Sequence, residues 1–175
     1  IPDDKEKYVG EIKTMYFNAV SMAMSQLISQ REKEGEYLCR DLVERLENLG
    51  TILIDVESIS TLHREKDFNN YKSKISELIK DSSVDDTRII QEAAILSEKK
   101  DISEEIVRFR SHMKLYKSYF DDSQNTGRKM NFLLQEMLRE VNTIGSKTDQ
   151  IEISHLVVQM KDELEKMREQ VQNIL

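Results

Sequence analysis

One cysteine in 175 residues, Cys39, rules out an intrachain disulfide and fits a reducing, cytoplasmic setting. It stands in "GEYLCRDLVERL" among acidic neighbours that disfavour a thiolate, so a buried or half-buried structural role is expected for it. No apolar run approaches 18 residues, which excludes a membrane-spanning helix, and no signal peptide opens the chain. There is no HExxH, no histidine pair four residues apart and no CxxC, so the usual zinc patterns are missing. GxGxxG, a phosphate-binding P-loop and GxSxG are also absent. The chain starts at Ile1 without a methionine, as a fragment of a longer protein would.

Only one proline, five glycines and 6% aromatics are present, against 34% charged residues. A chain so poor in turn formers and rich in Glu, Lys, Leu, Ile and Met reads as helical rather than β or disordered. The net charge of −7 argues against uniform attraction to nucleic acid or anionic membrane, so any RNA contact needs a local basic patch. Residues 1–85 carry 12 basic and 17 acidic groups (12 − 17 = −5), residues 86–175 carry 14 and 16 (14 − 16 = −2).

Apolar residues recur at spacings of three and four along most of the chain. Pro2-Asp3-Asp4 marks a helix start, and Tyr8, Ile12, Met15, Ala19 and Met22 form a stripe that Tyr16, Val20, Ala23 and Leu27 widen, as if covered on two sides. Gly35 allows a bend or a break. Leu38, Leu42, Leu46, Leu49, Leu53 and Val56 carry a helix to about His63; the polar "HREKDFNN" suggests a turn before a shorter helix at Phe68–Leu78. "KDSSVDD" (Lys80–Asp86) is the clearest boundary, dividing a helical segment at 1–85 from a helical domain at 86–175. A helix from Thr87 to Lys99 follows, then one with the stripe Ile102, Ile106, Phe109, Met113, Tyr116 and Phe120, capped by Asp101 or Ser103.

The last two stripes are matched. Met130, Leu134, Met137, Val141 and Ile144 alternate with steps of four and three, and so do Ile153, Val157, Met160, Leu164, Met167, Val171 and Ile174. With Gly145 as a helix stop and "SKTDQ" as the turn, they predict an antiparallel αα-hairpin. No segment alternates with period two long enough for a strand. The expected fold is all-α: an elongated bundle of long helices ending in that hairpin. Narrow seams on such helices leave apolar surface uncovered, which self-association would bury.

The helix "GRKMNFLLQEMLREVNTIGSK" (127–147) has more than a seam. Lys129, Glu136, Glu140, Thr143 and Lys147 lie roughly opposite the seam, as a solvated face would. A third face holds Arg128, Asn131, Gln135, Arg139, Asn142 and Ser146, groups that make directional hydrogen bonds to phosphates and base edges or to another helix. A nucleic-acid site and a buried polar interface between subunits both fit this face. In "SEEIVRFRSHM", Glu105, Arg108 and His112 share one edge of a stripe, where Glu105 and His112 could hold a hard divalent ion or His112 could move protons. An ordinary surface ion pair fits the same spacing.

The segment "GRKMNFLLQEMLREVNTIGSK" resembles the C-terminal signature of the YicC/YloC-type bacterial endoribonucleases, and "EISHLVVQMKDELEKMREQVQNIL" is similar to that family's tail. "EAAILSEKKDISEEIVRFRSHM" and, more weakly, "REKEGEYLCRDLVERL" share the resemblance. It implies a longer protein with a partly β amino-terminal domain, hexameric homo-oligomers, and RNA cleavage dependent on a divalent metal such as Mn2+ or Mg2+. Two positions depart from the pattern: Asn131 stands where the family often has aspartate, and Leu138 where it usually has asparagine. For the chemistry, Arg128 and Arg139 are the candidates to stabilise phosphorane charge, and His112 and Glu136 to transfer protons. Arg128, Lys129, Gln135, Arg139, Asn142 and Lys147 are the candidate RNA contacts, with Glu105 and His112 the candidate metal ligands. The competing expectation is a helical oligomerisation scaffold or interaction module, inert by itself.

Overall fold

The computed structural model describes residues 3–78, 86–121 and 126–172. Five α-helices account for nearly all of them: α1 (Asp3–Leu78), α2 (Asp86–Lys99), α3 (Ser103–Ser118), α4 (Thr126–Lys147) and α5 (Ile151–Gln172), with a 3₁₀ turn at Tyr119–Asp121. There is no strand among the described residues. The boundary expected at Lys80–Asp86 lies outside the described residues except for its last residue, which opens α2.

Two compact units divide the chain, residues 1–41 and 42–175. In the first, every described side chain from Tyr8 to Tyr37 is exposed. The stripe begun by Tyr8, Ile12 and Met15 is therefore exposed among the described residues, where its width suggests two-sided burial. Cys39 is exposed rather than buried, and the described residues of this unit form a single helical stretch.

The expected turn at "HREKDFNN" does not form; α1 runs through it, as it does through Gly35 and Gly50. The stretch is polar but holds neither proline nor glycine, and polarity alone does not end a helix. An added Cβ at Gly50 would meet Met113 Cε of α3 at 3.3 Å, a contact that the end of that flexible side chain must relieve by a few tenths of an ångström.

The second unit buries its apolar stripes together. Leu42, Leu46, Leu49, Leu53 and Val56 of α1 are buried, as are Ile102, Ile106, Phe109 and Tyr116, while Met113 and Phe120 are half-buried. The α4 seam from Met130 to Ile144 and the α5 seam from Ile153 to Val171 are buried at every described position. Side chains of these sizes each contribute about 1.5–3 kcal/mol when fully buried. The short connection 148–150 returns α5 antiparallel along α4, which confirms the hairpin. Two cross-helix ion pairs border this core: Arg45 Nη1 donates to Glu163 Oε2 at 3.0 Å and Arg110 Nη2 to Glu57 Oε2 at 2.7 Å.

Gly145 is not the stop that a late glycine suggests, because α4 continues to Lys147. A Cβ at Gly145 would sit 3.0 Å from Val157 Cγ1, so the missing side chain lets α4 and α5 approach closely near their turn. Gly145→Leu is expected to lower stability by about 1–3 kcal/mol through overpacking, despite better helix propensity. In a Val157→Ala background, Gly145→Ala should instead stabilise by up to about 1 kcal/mol, the helix gain without the clash. Urea titration of the unaltered chain and the three variants checks both signs.

Candidate functional site

α4 packs against two neighbours at once, α5 along its seam and α3 on an adjacent side. This second contact changes the reading of the helix. The face expected to be solvated is turned toward the protein: Glu140 is 6% exposed, and Glu136, Thr143 and Lys147 are half-buried. The face left to solvent is the amide and arginine face, with Arg128, Gln135, Arg139, Asn142 and Ser146 exposed. Its C-terminal half is a shallow depression lined by Gln135, Leu138, Arg139, Asn142, Thr143 and Ser146. Asn131 sits at the edge, half-buried, with its Oδ1 buried and unpartnered.

Arg139 keeps 76% of its side chain exposed and only grazes Glu136, one turn back, at 4.0 Å. The guanidinium is therefore displayed toward solvent. Lys129 Nζ stands 5.5 Å from the Tyr119 ring centroid, a cation–π arrangement that holds the ammonium beside the N-terminal end of the same helix.

Lys147 is placed differently from the other candidate RNA contacts. Its Nζ donates to Glu105 Oε1 at 2.8 Å and to the Asp101 carbonyl at 3.0 Å. Glu105 is 4% exposed and its Oε2 is buried without a partner. The pair thus ties the start of α3 to the end of α4 across a distance in sequence that no local pattern reports.

Around it the α2–α3 turn is pinned as well. Arg64 Nη2 donates to both Asp101 carboxylate oxygens (3.0 and 3.1 Å) and to Ser103 Oγ (2.6 Å). The N-cap of α3 is Ile102, without a side-chain cap, rather than the expected Asp101 or Ser103; Asp101, one residue earlier, accepts instead from the Ser103 amide through Oδ1 at 2.8 Å. Lys100 pairs with Asp149 of the α4–α5 turn and lies over the Tyr71 ring. Burial alone would raise the Asp101 carboxyl, but hydrogen bonds from Ser103 and the Arg64 charge outweigh it and hold the group below its ordinary value. The hydrogen bond from Lys100 is the main cause that lowers Asp149. Burial would lower Lys100, and its contacts with Asp149 and Tyr71 outweigh that and raise it.

His112 is half-buried and lies two turns beyond Glu105 on α3, about 10.5 Å along the axis. Arg108 pairs with Glu104, not with Glu105. Glu105 and His112 do not fit a divalent ion as they stand. The lysine ammonium occupies the carboxylate and repels a cation, and no three His, Cys, Asp or Glu side chains converge among the described residues. Glu105 also faces Lys147 rather than the exposed strip of α4, so the two candidate groups do not merge into one site within the chain.

Phe132 escaped the sequence reading. It is 60% exposed, on the same strip as Arg128 and Arg139. The signal was available: a phenylalanine outside the three-four seam, one turn after an arginine.

Comparison with known proteins bears on the same region. The family model described as "Endoribonuclease YicC-like, C-terminal" matches residues 56–175. A protein of Clostridioides difficile (strain 630) named "Probable endoribonuclease YicC" is 42% identical over 173 residues, covering 98% of this chain and 59% of the relative. One of the same name from Haemophilus influenzae (strain ATCC 51907 / DSM 11121 / KW20 / Rd) is 27% identical over 178 residues, covering 99% of this chain and 60% of the relative. The chain thus spans about three fifths of the length of these relatives.

Lys147→Ala is expected to cost roughly 3–5 kcal/mol, because it strands a buried carboxylate, whereas exposed Arg139→Ala should change stability by less than about 0.5 kcal/mol. Chemical denaturation of both variants measures the contrast. Asp101 and Asp149 make a further prediction. Their folded pKa values lie below the ordinary 3.8, so their stabilisation is present above about pH 3.8 and is lost as pH falls through the depressed values. The double variant Asp101→Asn, Asp149→Asn should be somewhat less stable at pH 7 and lose less stability below pH 3.8. The change should stay under about 1 kcal/mol per group, since both carboxylates are more than a third exposed. Thermal melts from pH 7 to pH 2.5 report it.

Proposed function

The chain belongs to the YicC-like endoribonuclease family, and on that premise we propose that it is the helical, RNA-gripping portion of an endoribonuclease. One observation carries the reading. A helix buried on two sides turns its arginine and amide face, not its carboxylates, to solvent. Arginine forks suit phosphate oxygens, and amides offer both donor and acceptor to base edges. On a chain of net charge −7, that strip supplies the local basic patch that RNA contact requires.

In this reading Arg128, Lys129, Gln135, Arg139 and Asn142 hold the RNA, and Lys147 acts by fixing α4 against α3. Arg128 or Arg139 stabilises charge on the scissile phosphate, with Glu136, one turn from Arg139, and His112, contributed from another copy in the assembly, as the groups for proton transfer. The divalent ion implied by the resemblance belongs to the proposed whole enzyme, with ligands other than Glu105, whose carboxylate Lys147 occupies. No helix among the described residues is long and apolar enough to cross a membrane. A cytoplasmic location belongs to the same proposal.

The exposed stripe of residues 8–37 favours a second element of the reading, assembly into homo-oligomers such as hexamers. Side chains as large as Phe17, at 77% exposure, are the kind that association buries. The scaffold alternative takes this observation alone and gives the chain no activity of its own.

Arg128→Ala and Arg139→Ala are each expected to weaken RNA binding and to flatten its log–log salt dependence by up to about one unit. Oligomeric state, read by sedimentation, should not change. Dissociated oligomers with unaltered RNA affinity would move the strip to a subunit interface. Incubating labelled RNA with this chain or with a full-length relative, in Mn2+, Mg2+ or EDTA, separates the enzyme from the scaffold. Cleavage by neither would defeat the endoribonuclease reading.

A further inference from the structure

We infer that Phe132 is a stacking platform for an unpaired base, which makes the exposed strip of α4 a reader of single-stranded rather than paired RNA. The inference rests on the RNA-binding reading above and adds a substrate class to it. Folding makes little use of this ring. Every seam residue of α4 is buried, together with Leu133, while Phe132 stays 60% exposed.

Its surroundings decide what the ring suits. At 3.6 residues per turn, Phe132 projects within about 40° of Arg128, one turn before it, and within about 20° of Arg139, two turns after it. Gln135 lies about 60° from it on the next turn, at the mouth of the depression that Leu138 and Asn142 also line. An aromatic face between two guanidinium groups and beside amides provides the three contacts a splayed nucleotide uses: stacking, phosphate pairing and edge hydrogen bonds. A protein partner would favour an apolar patch continuing from the ring. Here the neighbours on the strip are Arg128, Gln135, Arg139 and Asn142, all exposed and polar. Within a duplex the bases stack on one another and offer no face to an exposed ring, whereas single-stranded loops and ends do.

The test uses this chain with a short RNA carrying 2-aminopurine, free or annealed to its complement, read by fluorescence quenching and anisotropy. Phe132→Ala and Phe132→Leu should weaken single-strand binding about 5- to 150-fold and abolish the quenching, with the salt slope unchanged. Phe132→Trp should restore both, a rescue that a merely structural role would not give. Duplex binding should be the same in all variants. Undiminished single-strand affinity in Phe132→Ala, while Arg128→Ala and Arg139→Ala still weaken it, would overturn the stacking role and leave the RNA reading standing. Absence of RNA binding by the unaltered chain would remove both. A change in sedimentation with RNA affinity intact would assign the ring to a contact between copies and overturn the proposal.

Discussion

The two-sided burial of α4 is the constraint from which the rest of the second unit follows. With α5 along the seam and α3 beside it, the helix has one strip left for water, and composition around its circumference must obey that. Gly145 permits the first contact by letting Val157 come close. The Glu105–Lys147 pair sets the second, and it is demanding because a carboxylate at 4% exposure has to keep its counter-ion. Removing either contact would rotate or free α4 and blur which side faces outward. The same two contacts that stabilise the bundle therefore determine which residues a ligand can meet.

Residues 8–37 obey no such constraint within one chain. Their helix carries tyrosines, methionines and Phe17 into solvent, and single exposed apolar residues would need no explanation while a continuous series does. The proposed assembly gives that surface a use, and it concerns a different unit from the α4 strip. The proposed oligomer contacts and the proposed RNA contacts would thus be open to separate substitution.

What could be read from the sequence was what depends on local period. The seams of α3, α4 and α5, the αα-hairpin and the all-α class follow from spacings of three and four, which survive any tertiary context. What could not be read depends on partners distant in the chain. Glu136, Glu140 and Lys147 have the composition of a solvated face, and only the presence of α3 reveals that they are turned inward. Gly145 looks like a stop because late glycines usually are; its role is set by Val157, twelve residues on. The polar run at 63–70 looked like a turn, yet it lacks a breaker and Arg64 anchors it to Asp101 and Ser103. Phe132 belongs to no apolar stripe, so local period assigns its ring no role, and only its exposure in the folded chain marks it out.

The net charge of the chain explains why the strip contains amides and an aromatic ring rather than a row of lysines. An acidic protein repels RNA at long range, and screening by salt weakens that repulsion together with any attraction from isolated cations. Short-range contacts do not depend on that balance. Stacking on a ring and hydrogen bonds from Gln135 or Asn142 act only after the strand has arrived, and salt hardly diminishes them. Arginine also works at contact, through a planar fork matched to phosphate. On the proposed reading, a strip built from such groups would bind RNA by fit rather than by field. On this chain that is the design for which the bulk charge leaves room.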